Sequence, residues 1–150
     1  MSWFVCAIGK YSPGNWDLCK QVGAYGVSGG HGRPRAEAGD QLLIWLAGRG
    51  YVAEAVVTGP PIVPRTKEEA PWPGGLHRFA FVVPMRVVAE VREPISFRFV
   101  GGIQPDTDVS TAQLQRGMAL ISDSGAMKVS AAIRAQVIEE AQAEGAQNAP

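Results

Sequence analysis

The sequence is poor in cysteine: only Cys6 and Cys19 occur, and neither belongs to a CxxC pair or a Cys/His cluster. A structural zinc needs four closely organised ligands, so no residue is assigned to a metal and no cofactor is expected. Histidine is equally scarce. His31 and His77 both sit in Gly/Pro-rich surroundings, a poor setting for a general base. Neither the phosphate-cradling Gly-x-x-x-x-Gly-Lys-[Ser/Thr] run nor a dinucleotide fingerprint is present. Gly26-Val27-Ser28-Gly29-Gly30 has the look of a nucleophile elbow, but no long strand precedes it and no helical pattern follows. The expectation is a binding protein, not an enzyme.

Charge of one sign is also lacking. The 14 Lys+Arg balance 14 Asp+Glu, which excludes a histone-like polycation while leaving room for a local basic patch. No apolar stretch approaches the length of a membrane span, and no basic segment precedes the short apolar run at residues 3–8. We therefore expect a cytoplasmic protein with reduced thiols and no membrane partner.

What the chain does hold is a hydrophobic fraction of 46% with 18 Gly and 11 Pro in 150 residues. That composition specifies a folded, turn-rich domain of short strands. Residues 2–8 are apolar on both alternating faces, as are residues 41–47, so both read as strands covered on two sides. Cys6 within the first is a packing residue. A short helix is expected at 16–22, a brief strand at 24–28 and a flexible cationic loop at 29–35. Residues 51–58 follow through a hairpin-like turn at 48–50, and Glu54 is assigned to their outward face. The proline-rich stretch 59–75 reads as a long surface loop. A long strand is predicted over 77–91 with a bulge or edge at Pro84, ended by Pro94 and followed by a short strand at 95–100. Helices are predicted at 110–120 and 130–143. The fold class is α+β: a small mixed pseudo-barrel of about five or six strands with flanking helices, in one domain over residues 1–144, with 145–150 a flexible tail.

Aromatic placement carries the functional signal. Trp16, Tyr25 and Trp45 flank the polar, glycine-rich segment 26–35. Such rings are ordinary core residues, but beside exposed amides and hydroxyls they also suit a flat heterocycle. Stacking then supplies affinity and hydrogen bonds to the ring edge supply selectivity. Lys20, His31, Arg33 and Arg35 are the candidate phosphate contacts.

The ordered segments Phe4-Val5-Cys6, Asn15-Trp16, Tyr25-Gly26-Val27-Ser28 and Ala38-Gly39-Asp40-Gln41-Leu42-Leu43-Ile44-Trp45 resemble an EVE domain of the PUA-like superfamily. Arg78-Phe79-Ala80-Phe81-Val82-Val83-Pro84-Met85, Glu93-Pro94-Ile95-Ser96-Phe97 and Gly117-Met118-Ala119-Leu120-Ile121 continue the likeness over nearly the whole chain. The resemblance implies a pseudo-barrel related to the YTH, ASCH and SRA-type folds. It also implies binding of modified nucleotides, a role that some members of the family couple to a fused nuclease. By position, Asn15, Trp16, Val27, Ser28 and Trp45 would line the pocket, with Tyr25 close by. The sequence departs from the family in the composition of the loop after Ser28 and in Ala80.

The expected function is a nucleic-acid reader that accommodates a flipped, modified base, such as a modified cytosine or adenine, in an aromatic pocket. Its partner would be modified DNA or RNA, with a separate effector protein acting downstream. The alternatives are a small-molecule nucleotide sensor or enzyme using the same pocket, and a protein-interaction barrel with no polar-lined cavity.

Overall fold

Among the described residues, 1–30 and 32–147, the computed structural model builds ten elements. They are β1 (Trp3–Ile8), α1 (Asn15–Val22), β2 (Ala24–Ser28), β3 (Gln41–Leu46), β4 (Gly50–Val57), α2 (Gly75–Arg78), β5 (Phe79–Ile95), α3 (Thr111–Gln115), β6 (Met118–Ile121) and α4 (Asp123–Gln147). The strands form one mixed sheet in the order β2-β5-β4-β3-β1-β6. Only β1 and β3 are parallel, with Trp3 opposite Gln41 and Ile8 opposite Leu46.

The two-sided apolar runs of β1 and β3 feed two separate cores. Phe4, Cys6, Ile8, Leu42 and Ile44 face one cluster, while Trp3, Val5 and Leu43 face a second that is closed by Ala126, Val129 and Ile133 of α4. A strand buried on both faces cannot alternate polar and apolar residues, which is why both runs lack the period-two pattern.

Strand β5 does the bending. Its first part pairs with β2 (Tyr25 opposite Val83) and its later part with β4 (Val57 opposite Met85). Register shifts between Tyr51 and Ala53 and between Glu54 and Ala55 add curl to that pairing. The sheet therefore rolls into a half-barrel that brings β2 towards the other end of the order. There the Tyr25 hydroxyl donates to the Ala7 carbonyl at 2.7 Å. Between β2 and the β1–β6 edge the strands do not pair, and the roll is left with a seam.

Several expectations need correction. Pro94 does not end the long strand: it falls in the register shift between Ala53–Glu90 and Tyr51–Ile95, where the ladder asks for no N–H. Residues 96–100 form no strand, only an isolated bridge from Val100 to Ile103. The helix expected over 110–120 stops at Gln115, and Met118–Ile121 pairs antiparallel with β1. The segment 59–75 is no plain surface loop, since Pro61, Pro64, Ala70 and Trp72 are buried. Helix α4 begins at Asp123 and continues to Gln147, so residues 145–147 extend a helix where a tail was expected; 148–150 lie outside the described residues. Glu54 faces inward, not outward. It is 1% exposed, accepts a hydrogen bond from the Ser130 hydroxyl, and pairs with Arg134 Nη2 at 2.7 Å. A carboxylate can occupy that site because α4 supplies both partners.

Candidate functional site

The seam opens into a cavity of about 480 Å³, within the size range of small-molecule sites. It straddles the end of β1 at Ala7–Gly9. Asn15 and Cys19 of α1 and Tyr25–Ser28 of β2 line one side, while Trp45, α3 and Met118 of β6 line the other.

One wall is aromatic. Trp72 and Phe79 lie with ring centroids 5.0 Å apart at 50°. Both lean on Gly26, where an added Cβ would stand 2.7 Å from the Trp72 ring and 2.9 Å from that of Phe79. Glycine at this point of β2 is what lets the indole lie against the strand. The Trp72 indole N–H donates to the Asn15 carbonyl at 3.3 Å, tying the wall to α1. A register shift between Val27 and Ser28 sets Ser28 opposite Phe79, and Ser28 lines the cavity. Among the described residues, neither the Asn15 carboxamide nor the Ser28 hydroxyl has a hydrogen-bond partner. Both remain available to a ligand. Two arginines, Arg78 at the end of α2 and Arg116 after α3, border the cavity from its two sides. Both are exposed, and neither is paired with a carboxylate among the described residues. The Arg78 guanidinium lies 5.3 Å from the Phe79 ring centre.

The structure thus gathers five of the expected pocket residues, Asn15, Tyr25, Val27, Ser28 and Trp45, around one opening. Trp16 is not among them. Consecutive helix residues point about 100° apart, so Asn15 and Cys19 share the cavity face while Trp16 turns away. Its indole N–H donates to Glu90 at 2.8 Å, and Lys20 sits 5.6 Å from its ring centre. Lys20 follows Trp16 to that side and pairs with Glu90 at 2.9 Å and Asp17 at 3.5 Å, which removes it from any role at the seam. Arg33 is committed to the Pro61 carbonyl at 2.6 Å, and Arg35 is exposed but does not border the cavity. His31 lies outside the described residues. The sequence reading missed Trp72, Phe79, Arg78 and Arg116. The one signal was a tryptophan in a stretch otherwise built of prolines and charges, where an indole has little reason to be unless it is packed.

Burial governs titration on the inner wall. It pushes the Cys19 thiol up to about 11, against smaller downward pulls from hydrogen bonds to Trp72 and Gly26. Burial likewise raises Cys6, helped by the charge of Cys19, and raises Tyr25, helped by both thiols. All three groups are neutral at physiological pH, so neither thiol is present as a reactive thiolate. For groups raised by folding, the native state holds its protons longer than the unfolded chain. The stability this gives is complete below the unfolded pKa and is lost as pH rises through the folded one. Cys19 alone, moving from 9.0 to about 11, accounts for about 3 kcal/mol. Urea midpoints should therefore fall steeply between pH 9 and 11, and Cys19→Ala should flatten the fall. A midpoint that stays level across that window would contradict the burial of this cluster.

Among the described residues, no group of three or more His, Cys, Asp or Glu is placed to hold a metal ion, and no helix is long and apolar enough to cross a membrane.

No protein-family model and no curated protein matches the sequence. Solved structures do match. The CPSF4-YTH domain of Toxoplasma, solved in apo form, is 14% identical with a TM-score of 0.63, over 90% of this chain and 88% of that one. A hypothetical protein of Leishmania major is 13% identical with a TM-score of 0.62, over 91% and 96% of the two chains. The YTH domain of Zygosaccharomyces rouxii MRB1, in complex with N6-methyladenosine RNA, is 11% identical with a TM-score of 0.56, over 87% and 86%. At such identities the likeness speaks for architecture: this chain has an α+β half-barrel fold shared with YTH domains.

Proposed function

We propose that this protein is an EVE-type nucleic-acid reader that takes a flipped, modified base of DNA or RNA into the seam cavity. The observation that carries the reading is the conjunction at one opening of an aromatic wall, two unpartnered polar side chains and two unpaired arginines. Extruding a base costs a few kcal/mol, least where it is single-stranded. Stacking against an aromatic wall returns about 1–3 kcal/mol, and hydrogen bonds from Asn15 and Ser28 to the ring edge supply the remainder. Arg78 and Arg116 take the place of Arg33 and Arg35 as the phosphate contacts. A YTH domain of the same fold seen with methylated RNA supports the class of ligand. A modified cytosine or adenine is the base expected, and a separate protein would act on the bound site.

The test is a binding screen of oligonucleotides carrying modified cytosines or adenines against their unmodified counterparts, with the salt dependence measured. Two phosphate contacts on a single strand give a log–log salt slope of about −1.4. Arg78→Gln with Arg116→Gln should bring that slope close to zero while leaving the affinity for the free modified nucleoside unchanged. If nucleoside and oligonucleotide bind equally well and neither responds to salt, the polymer reading fails and a small-molecule nucleotide sensor takes its place.

A further inference from the structure

Helix α4 buries one stripe against the sheet, through Gly125, Ala126, Val129, Ser130 and Ile133. A second stripe on its outer side is uncovered. Met127 is 62% and Ile138 59% exposed, and Ala131 lies exposed between them. These positions are spaced i, i+4 and i+11, so they share one face of the helix. The intervening i+7 position is Arg134, whose guanidinium is drawn aside onto Glu54. Residues 141–147 are exposed on all sides, so the helix outruns the sheet it packs on.

Charge around this stripe is self-complementary. Lys128 and Glu139 are both exposed, stand on the same flank of the stripe, and have no ionic partner among the described residues. When two copies of a helix pack antiparallel across a two-fold axis, the same flank of each faces the other. An axis near residue 133 sets Met127 against Ile138 of the second copy and Lys128 against its Glu139. The apolar pairs and the charge pairs thus demand a single register. Ala131 then falls opposite Arg134 of the second copy, and its small side chain leaves room for that arginine, which is held on Glu54.

We propose that α4 is the docking surface for a second copy of this chain, paired antiparallel through Met127, Ala131 and Ile138 and held in register by Lys128–Glu139 bridges. No residue of α4 borders the seam cavity, so both cavities of such a dimer stay open, and two sites could engage one polynucleotide.

Sedimentation velocity on the full chain from micromolar to millimolar concentration tests this. The expected result is a concentration-dependent dimer. Ile138→Asp, Lys128→Glu and Glu139→Lys, all on the exposed side of the helix, should each raise its dissociation constant by about tenfold or more. The double exchange Lys128→Glu with Glu139→Lys should restore dimerisation, because it rebuilds the bridges with the signs reversed. A chain that stays monomeric throughout overturns the proposal, as does a dimer indifferent to Ile138→Asp or a double exchange that rescues nothing. None of these results bears on the seam cavity, so the reader proposal stands or falls separately.

Discussion

Trp72→Ala is expected to weaken binding of a modified oligonucleotide by about 1–3 kcal/mol, roughly 5- to 150-fold, measured on the folded protein. The indole backs the wall of the seam cavity, packed on Gly26 and Phe79, so removing it collapses the surface against which a flat ring would lie. Because Trp72 is 3% exposed and belongs to the inner core, the truncation also costs stability, about 3–5 kcal/mol. Trp72→Phe separates the two effects: it keeps an aromatic face, and it should recover most of the affinity with a smaller stability loss. The other tryptophans grade the expectation. Trp45→Ala, at the half-buried outer side of the opening, should weaken binding less. Trp16→Ala should lower stability and leave the affinity of the folded fraction unchanged, since its ring packs on the far side of α1 against Glu90 and Lys20. Titration of each variant with one labelled oligonucleotide gives the order. If Trp16→Ala proves the most damaging to affinity and Trp72→Ala the least, the seam is not the binding site.

That ordering shows where the sequence was informative. Runs such as residues 3–8 and 41–46 declare themselves as strands because burial on both faces leaves no polar position, and β2 is announced by the turn and glycine that precede it. Tyr25 and Trp45 lie on those strands as aromatics beside a glycine-rich segment, and the resemblance to EVE domains adds Asn15 and Ser28. Trp72 could not be reached that way. It belongs to an irregular stretch with no period to read, and its place depends on a missing Cβ at Gly26, 46 positions earlier. The choice between Trp16 and Trp45 turned on helical phase: a pocket face set by Asn15 excludes its neighbour, but only once α1 is fixed against β2. Glu54 was misread for a related reason. An acidic residue in an apolar strand looks outward-facing unless a partner is visible, and its partners Ser130 and Arg134 are some 80 residues away on a helix whose start was placed seven residues late.

A large loss of stability from a single added methyl group is expected at Gly125. It lies in the first turn of α4 where the loop joining Gln104 to Val109 passes against the helix, and a Cβ there would stand 2.7 Å from the Thr107 carbonyl carbon and closer still to its oxygen. The neighbour is backbone and cannot rotate away. The loop is also held in place: Thr107 and Asp108 N–H groups both donate to the Gln104 carbonyl, and the Thr107 hydroxyl and the Tyr51 hydroxyl both donate to the Gln104 side-chain oxygen. Relieving the clash means lifting the start of α4 from the sheet or breaking this buried network, in which Gln104 and Thr107 are each 1% exposed. Overpacking of a core ordinarily costs about 1–3 kcal/mol, and the loss of buried hydrogen bonds adds to that, so Gly125→Ala should cost about 3–5 kcal/mol, where the same exchange at an open helical site would stabilise. Gly145, on the same helix with nothing within 4 Å of its notional Cβ, supplies that open site. Chemical unfolding of Gly125→Ala beside Gly145→Ala makes the comparison within one helix: the first should lower the midpoint sharply and the second raise it slightly. Equal, small effects at both positions would mean that α4 does not sit against the 104–109 loop as described, and with it the inward placement of Glu54 would lose its support.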